Sequence, residues 1–229
     1  MKRSLEKTTD CDDDECKFIP LTKDETSWIR TFVYSGSKVN TSVFNQLWDL
    51  HPIDHALVRM RGKLIPVPRW QQTFVSDIKM GGYNFSGVKH SGIQITPLLQ
   101  PYLDYANKVC APYLKKYPKS PQFNMILLNW YENGNHYIGL HADDEKQLLK
   151  NSKGETLVFS ISFGATRTFR LKSKNEDDTE NVDIELNNGD ALLMGGICQS
   201  THKHCIPKIS GEKGKKVGKR INLTFRIFS

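Results

Sequence analysis

The chain of 229 residues has no long apolar run and no cysteine framework. A membrane-spanning helix needs about 18 consecutive apolar residues, and no segment approaches that length, so we expect no membrane partner. The first residues, MKRSLEKTTDCDDDEC, lack the apolar centre of a secretory signal. Five cysteines form an odd set without regular spacing, which favours a reducing compartment over a disulfide-stabilised secreted domain.

Positive charge is what the chain has in excess. It contains 32 Lys and Arg against 25 Asp and Glu, a net charge of +7, and its pI is about 9.1. Acids cluster in residues 9–16, TDCDDDEC, whereas residues 208–220, KISGEKGKKVGKR, carry six basic residues and one Glu. This imbalance favours an anionic partner such as nucleic acid. We interpret residues 208–220 as a phosphate-contacting loop, with a solvated surface loop as the alternative.

The order of elements predicts a tail followed by one domain. Residues 1–16 are polar and unpatterned, which is typical of a disordered tail, and residues 17–229 form the domain. We predict short helices over 22–34 and 41–50 and a longer helix over 96–116. Many short strands follow, separated by Gly and Asn turns without alternating helices. This order predicts an α+β, mainly β fold, a sandwich or jelly roll with the N-terminal helices supporting one face.

A polar stretch at the end of a predicted strand contains a metal-ligand pattern. In LLNWYENGNHYIGLHADDE, residues 127–145, one residue separates His141 from Asp143. Side chains at i and i+2 of a strand point to the same face, so the imidazole and the carboxylate would lie side by side. These are two of the three ligands of a facial triad for non-haem iron. The later segment CQSTHKHCIP offers His202 or His204 as the third ligand, and the residues alone allow either.

The same segment has an alternative interpretation as a structural zinc site. Its candidate ligands are Cys198, His202, His204 and Cys205. Closed zinc sites usually combine a closely spaced cysteine pair with a histidine pair, and a second cysteine pair is missing here. Zinc is therefore the lesser alternative to an iron triad.

The last strand-like segment, KRINLTFRIF, alternates strictly between polar and apolar residues. Its polar face has Arg220, Asn222, Thr224 and Arg226. Two arginines on one face of a buried strand are costly unless they pair with anions, and a dicarboxylate would engage both guanidinium forks. Asn129 and Tyr131, which share a face in NWY, can donate hydrogen bonds to the same anion. An iron triad beside such a dicarboxylate site is the pattern of a non-haem iron oxygenase that uses 2-oxoglutarate.

With these motifs assembled, the chain resembles the AlkB family of iron(II)- and 2-oxoglutarate-dependent nucleic-acid dealkylases. The motifs that carry the resemblance are NWY at 129–131, HADDE at 141–145, SFGATRTF at 162–169, HCIP at 204–207 and RINLTFR at 220–226. GKLIPVPRWQ and YNFSG match the family's upstream substrate lid, here about residues 57–90. The match extends from about residue 57 to the end, and it is most like AlkB homologues two and three, which repair DNA.

The resemblance implies a double-stranded β-helix, which is a jelly roll, and a defined set of ligands. It implies that His204, which precedes a hydrophobic-Pro stretch, completes the Fe(II) triad with His141 and Asp143. It also implies that Arg220 binds the remote carboxylate of 2-oxoglutarate and that Arg226 binds near its metal-chelating end. The other implied co-substrate contacts are Asn129, Tyr131, Asn222 and Thr224.

For the substrate, the resemblance implies a pocket for a flipped base, lined by Tyr83 and Phe85. The full set of implied substrate contacts is Arg61, Gly62, Lys63, Tyr83, Asn84, Phe85, Asp144, Glu145 and Arg167. Asp144 and Glu145 would face cationic bases such as 1-methyladenine and 3-methylcytosine, which a carboxylate favours over the uncharged parent base. Arg61 stands where AlkB homologue two has an aromatic wedge, and an arginine is a poorer apolar wedge.

The implied activity is oxidative demethylation of N-alkylated DNA bases, with Fe(II) as cofactor, 2-oxoglutarate and O2 as co-substrates, and formaldehyde as a product. We expect a monomer that acts on alkylated DNA, single-stranded or duplex, with RNA as an alternative substrate. The expected location is the nucleus of a eukaryote, or otherwise the cytoplasm. Two other functions stay open: a same-fold oxygenase acting on protein or a small molecule, and a non-catalytic nucleic-acid-binding module.

Overall fold

A computed structural model of the chain describes residues 17–34, 40–60, 62–80, 83–85, 88–175 and 181–229. The predicted tail, residues 1–16, lies outside the described residues. No helix within these ranges is long and apolar enough to span a bilayer.

The described residues are mainly β-strands, with a few helices. The strands of the first half are β1 (Lys17–Pro20), β2 (Ser27–Val33), β3 (Leu57–Met60), β4 (Lys63–Pro66), β5 (Trp70–Val75), β6 (Tyr83–Phe85), β7 (Val88–His90) and β8 (Gly92–Gln94). Those of the second half are β9 (Met125–Tyr131), β10 (Ile138–His141), β11 (Val158–Gly164), β12 (Arg167–Ser173), β13 (Asn181–Leu186), β14 (Asp190–Gly196), β15 (His202–Ile206) and β16 (Arg220–Arg226). The helices are α1 (Thr41–Trp48), α2 (Gln100–Leu114), α3 (Cys198–Thr201) and α4 (Gly211–Lys215).

Two sheets and two hairpins account for these strands. The large sheet has the order β1-β2-β14-β11-β16-β9-β5-β8, and the small sheet has the order β10-β15-β12-β13. The pairs β3–β4 and β6–β7 are separate hairpins within the predicted lid region. Neighbouring strands are antiparallel, except that β5 and β8 are parallel. The crossovers between sheets in this order confirm the predicted jelly roll.

The large sheet is covered on both faces by apolar layers. On one face, α1 and α2 pack against a cluster that includes Leu47, Leu103, Phe159 and Leu223. On the other face, residues of the two sheets form a second cluster. Each large apolar side chain that is fully buried in such a layer contributes about 1.5–3 kcal/mol. The helices therefore support one face, as predicted, and the polar residues of the site share the space between the sheets with the second apolar cluster.

The local sequence explains where the helices begin and why one predicted helix is wrong. The Asn40 side chain accepts a hydrogen bond from the Val43 backbone N–H at 2.9 Å, which caps the start of α1. Helices α1 and α2 confirm the predictions over 41–50 and 96–116. The helix predicted over 22–34 is instead strand β2, which pairs with β14 along its whole length. Its sequence, SWIRTFV, is rich in β-branched and aromatic residues that favour a strand.

Candidate metal and co-substrate site

Neighbouring strands of the small sheet bring three metal-ligating side chains together. His141 at the end of β10 lies opposite His204 of β15, with the ring centroids 4.3 Å apart. Asp143 follows two residues after His141, and its carboxylate oxygens lie 3.8 Å from His141 Nε2 and 3.9 Å from His204 Nε2. The ligand atoms all lie within 4.8 Å of one another, and no other such group of three was found in the described ranges.

Contacts behind the ligands fix their orientation. His141 Nδ1 is 2.9 Å from the Gly139 carbonyl oxygen, which leaves Nε2 directed towards the other ligands. The backbone N–H of Asp143 donates to the side-chain oxygen of Gln199 at 2.8 Å. The His204 ring stacks on Phe169 with centroids 5.2 Å apart. The three ligands are thus held in place by a backbone carbonyl, a side-chain amide and an aromatic ring.

The protonation states suit a divalent cation. Burial lowers the pKa of His204 to about 3 and also lowers the pKa of His141, so both imidazoles are neutral at neutral pH. Burial opposes ionisation of Asp143, but the ion pair with Arg226 favours the carboxylate, and the pKa of the carboxyl group is lowered. Two neutral imidazoles and one carboxylate are the forms that ligate a metal.

The donor set fits non-haem iron(II), which takes two histidines and one carboxylate and keeps open positions. The zinc alternative is wrong, because no cysteine joins the ligand group found among the described residues. Burial raises the pKa of the Cys198 thiol to about 12, which disfavours the thiolate that zinc requires. His202 pairs through Nδ1 with the Thr201 hydroxyl at 2.8 Å and is not part of the group.

Strand β16 has the predicted alternation. Ile221, Leu223 and Phe225 are buried in the apolar layer beneath the helices. The opposite face presents Asn222, Thr224 and Arg226 to a cavity between the sheets. The residues that line this cavity include Asn129, Tyr131, His141, Asp143, His204, Asn222, Thr224 and Arg226. The predicted metal ligands and most of the predicted co-substrate contacts therefore share one cavity.

Arg220 lies at the far end of the same face and has unmet hydrogen-bonding capacity. Its side chain is 1% exposed, and Nη2 donates to Ser162 Oγ at 2.9 Å and to Asn222 Oδ1 at 3.1 Å. Its Nε and Nη1 have no acceptor in the described part of the chain. Burial lowers the pKa of Arg220 to about 10, although the nearby Tyr131 opposes this effect. A carboxylate would supply the missing acceptors, so the residues present fit a dicarboxylate co-substrate.

Asp144 and Glu145, the two acids that follow the metal ligand Asp143, have different surroundings. Asp144 is exposed beside the metal ligands, as a residue that contacts substrate must be. Glu145 is turned inward, and its Oε1 lies 3.5 Å from Arg226 Nη1. Burial raises the pKa of Glu145, while Arg226 opposes the shift. Of the two predicted substrate contacts, Asp144 is therefore the one on the surface.

The predicted lid contacts are described only in part. Gly62 and Lys63 lie at the exposed turn of the β3–β4 hairpin, where Gly62 has a φ of +79° that favours glycine. Arg61 lies outside the described residues. Tyr83, Asn84 and Phe85 form β6, and the positions of their side chains also lie outside what is described.

Arg167, which the resemblance implied to be a substrate contact, is buried within the fold. Its side chain is 2% exposed and donates to the backbone carbonyls of Asn133, His136 and Pro207, at 3.3, 3.0 and 2.7 Å. This environment does not favour a substrate contact, because the guanidinium is buried and already donates to three backbone carbonyls. Arg167 instead joins the loop before β10 to the segment after β15, the two strands that carry the histidine ligands.

Two residues of the site were not predicted from the sequence. Arg69, after the prolines of PVPRWQ, is buried and donates from Nε to Asn129 Oδ1 at 2.6 Å and from Nη2 to Gln71 Oε1 at 2.9 Å. Gln199 accepts the backbone N–H of Asp143. The signal for Gln199 was its place among the candidate ligands of CQSTHKHC, whereas no local pattern indicates Arg69.

Comparison with known sequences gives one family and a set of relatives. The family model described as 2OG-Fe(II) oxygenase superfamily matches residues 25–226. "DNA oxidative demethylase ALKBH2" of Bos taurus is 32% identical over 177 residues, which cover 75% of this chain and 57% of that protein. "Alpha-ketoglutarate-dependent dioxygenase alkB homolog 3" of Homo sapiens is 38% identical over 111 residues, which cover 45% of this chain and 36% of that protein. The chain thus spans little more than half the length of the first relative and little more than a third of the second.

Among solved structures, the one described as "The structure of OsALKBH1" is similar to this fold. The TM-score is 0.51 at 18% sequence identity, and the match covers 87% of this chain and 96% of that chain. At this identity the likeness supports the jelly-roll fold alone.

Proposed function

Because the chain belongs to the 2OG-Fe(II) oxygenase superfamily, we propose that it removes N-alkyl groups from nucleic-acid bases by oxidation with Fe(II), 2-oxoglutarate and O2. The relatives confirm the resemblance to the AlkB family that the motifs indicated. The observation that carries the proposal is that the cavity lined by His141, Asp143 and His204 is also lined by Asn222, which accepts a hydrogen bond from Arg220, a buried arginine with unmet N–H groups.

The metal end of the cavity fixes the place of reaction. His141, Asp143 and His204 would hold Fe(II), which supplies the activation of O2 needed to oxidise an N-methyl carbon. Arg226 donates from Nη2 to Asp143 Oδ1, so it orients the carboxylate and keeps it ionised. Gln199 holds the backbone of the same residue. The protein thus presents a preformed ligand set that needs little reorganisation.

The other end of the cavity binds and orients the co-substrate. Arg220 offers Nε and Nη1 to the remote carboxylate of 2-oxoglutarate, while Ser162 and Asn222 hold its Nη2. Asn129, Tyr131 and Thr224 line the route from there to the metal ligands. Because the arginine is buried, water is excluded from the ion pair and its energy is not screened as at a surface.

The proposed substrate is DNA that carries N-alkylated bases such as 1-methyladenine or 3-methylcytosine, with RNA as a further substrate. Several relatives are named as DNA oxidative demethylases, and the net charge of +7 favours a polyanion. The exposed Asp144 beside the metal ligands favours a cationic base over its uncharged parent. Relatives of this kind come from cattle, human and other eukaryotes, which supports the nucleus as the proposed location.

The test is a panel of methylated oligonucleotides, single-stranded and duplex, DNA and RNA, incubated with Fe(II) and 2-oxoglutarate. We expect loss of the methyl group from 1-methyladenine or 3-methylcytosine, with single strands processed at least as fast as duplexes. Asp143→Ala serves as the inactive control, since it removes one metal ligand. If no methylated oligonucleotide is repaired while 2-oxoglutarate is still consumed, the proposed substrate is wrong and an oxygenase acting on protein or a small molecule is favoured.

A further inference from the structure

A recess without an assigned role lies between the lid hairpins and strand β5. Its walls include Asp54, Leu57, Gln71, Thr73 and Ile93. Residues of both the β3–β4 and the β6–β7 hairpins line it, so it opens beneath the predicted substrate lid. We name it the lid recess.

Strand β5 extends the wall of the metal-site cavity into the lid recess. Gln71 lies opposite Asn129 and Thr73 lies opposite Leu127 in the antiparallel β5–β9 pair. Residues directly opposite in such a pair point to the same face of a sheet. Asn129 and Leu127 line the metal-site cavity, so Gln71 and Thr73 lie one strand further out on the same wall. Arg69 joins the two positions, because it donates to the side chains of both Asn129 and Gln71.

Gln71 and Thr73 have unmet polar atoms on this wall. They are 4% and 2% exposed, and Gln71 Nε2 and Thr73 Oγ1 have no hydrogen-bond partner among the residues that the structure describes. Gln71 Oε1 accepts from Arg69, so the amide group that lacks a partner is the donor, Nε2. A buried polar group without a partner costs about 1–3 kcal/mol, and a ligand that supplies the partner recovers that cost.

We propose that the lid recess binds the edge of the target nucleobase, with Gln71 Nε2 and Thr73 Oγ1 as its hydrogen-bonding groups. This assignment rests on the proposed function and adds two specificity-determining residues to it. The Gln71 donor requires an acceptor on the base, and both cytosine O2 and adenine N3 and N7, which methylation at N1 leaves free, are acceptors. Leu57 and Ile93, which are exposed apolar residues of the recess, offer surface to the faces of the ring. The recess therefore accepts both adenine and cytosine lesions.

Two substitutions that preserve shape test the lid recess. Thr73→Val removes only the hydroxyl group, and Gln71→Met removes only the amide. Gln100→Met is the matched control, because Gln100 is an exposed glutamine of α2 that donates to Asp104 and lines neither the lid recess nor the metal-site cavity. The measurement is the fluorescence anisotropy of a single-stranded oligonucleotide with one 3-methylcytosine, titrated with protein loaded with Mn(II) and 2-oxoglutarate.

We expect each of the two recess variants to bind the oligonucleotide about five- to tenfold more weakly, and the control to bind as the unmodified protein does. The half-saturation point for 2-oxoglutarate should stay unchanged in Thr73→Val, which separates a base contact from general damage to the site. Because Gln71→Met also removes an acceptor of Arg69, Thr73→Val is the decisive variant. Thermal unfolding of each variant shows whether it is folded.

The outcomes separate the lid recess from the proposed function. If the unmodified protein repairs 3-methylcytosine and both recess variants bind and repair it equally well, the recess assignment is overturned and the function stands. If the unmodified protein neither binds nor repairs any methylated oligonucleotide, the proposed function fails and the recess assignment fails with it. Weaker binding by Thr73→Val, with the control unchanged, supports both.

Discussion

Replacing Arg220 with methionine should abolish tight binding of 2-oxoglutarate while leaving the protein folded. Methionine fills a similar volume without charge or donors. The unliganded protein loses little, because Arg220 is buried with two N–H groups that lack an acceptor in the described ranges and with a pKa that burial has lowered to about 10. We therefore expect the unfolding temperature without co-substrate to be unchanged or higher.

The size of the binding loss follows from the two unmet donors. A hydrogen bond to a charged partner contributes about 1.5–3 kcal/mol, so two such bonds from Arg220 to one carboxylate contribute about 3–6 kcal/mol. Because about 1.4 kcal/mol is a factor of ten, Arg220→Met should weaken binding of 2-oxoglutarate by about a hundredfold or more. Arg220→Lys keeps the charge but loses the planar fork, so its affinity for 2-oxoglutarate should lie between that of the unmodified protein and that of Arg220→Met.

The assay is calorimetric titration of 2-oxoglutarate into protein loaded with Mn(II), with thermal unfolding measured at each endpoint. Arg170→Met is the matched control, since Arg170 forms an exposed ion pair with Asp183 and neither residue lines the cavity. 2-Oxoglutarate should raise the unfolding temperature of the unmodified protein and of the control, but not of Arg220→Met. An unchanged affinity in Arg220→Met would refute the assignment of this arginine to the co-substrate.

Three further experiments test the metal ligands, the contact behind them and the lysine-rich segment. His204→Ala should abolish Fe(II)-dependent formation of succinate whereas His202→Ala should retain most of it, and the reverse result would shift the functional register of β15 by two residues. Gln199→Met should weaken Mn(II) binding about tenfold, because a group that orients a metal ligand is lost; calorimetry measures this, and equal affinity would contradict it. Lys215→Ala combined with Lys216→Ala should weaken oligonucleotide binding and reduce its salt dependence by about one to two counterions, and an unchanged slope would exclude a phosphate contact.

The sequence predicted well the features that depend on residues close together in the chain, such as side chains that alternate along a strand. The alternation of β16 follows from the two-residue repeat of a strand, and the structure has it. His141 and Asp143 also lie together as predicted, although Asp143 comes after the end of β10 and not within the strand. The choice of His204 over His202 needed the resemblance, because an i, i+2 pair on one strand offers the same face twice. In the structure the neighbouring strand decides, since β10 places His141 opposite His204.

The features that the sequence did not predict depend on contacts between distant segments. Within the helix predicted over 22–34, residues Ser27–Val33 form strand β2, which pairs with β14, and nothing local to SWIRTFV specifies that partner. Arg167 occurs in a motif shared with the family, but its three carbonyl acceptors come from two other segments. Arg69 likewise reaches Asn129, 60 positions further along the chain. Such contacts are fixed by the sheet order and not by any local pattern.

The most direct test of the central claim is to measure formaldehyde and succinate in the same reaction. The substrate is a single-stranded oligonucleotide with one 3-methylcytosine, and the control is the same oligonucleotide without the methyl group. We expect equal amounts of formaldehyde and succinate with the methylated strand, dependent on Fe(II), and far less succinate with the control. Succinate formed at the same rate with both strands, or without formaldehyde, would contradict oxidation of an N-methyl base by this site.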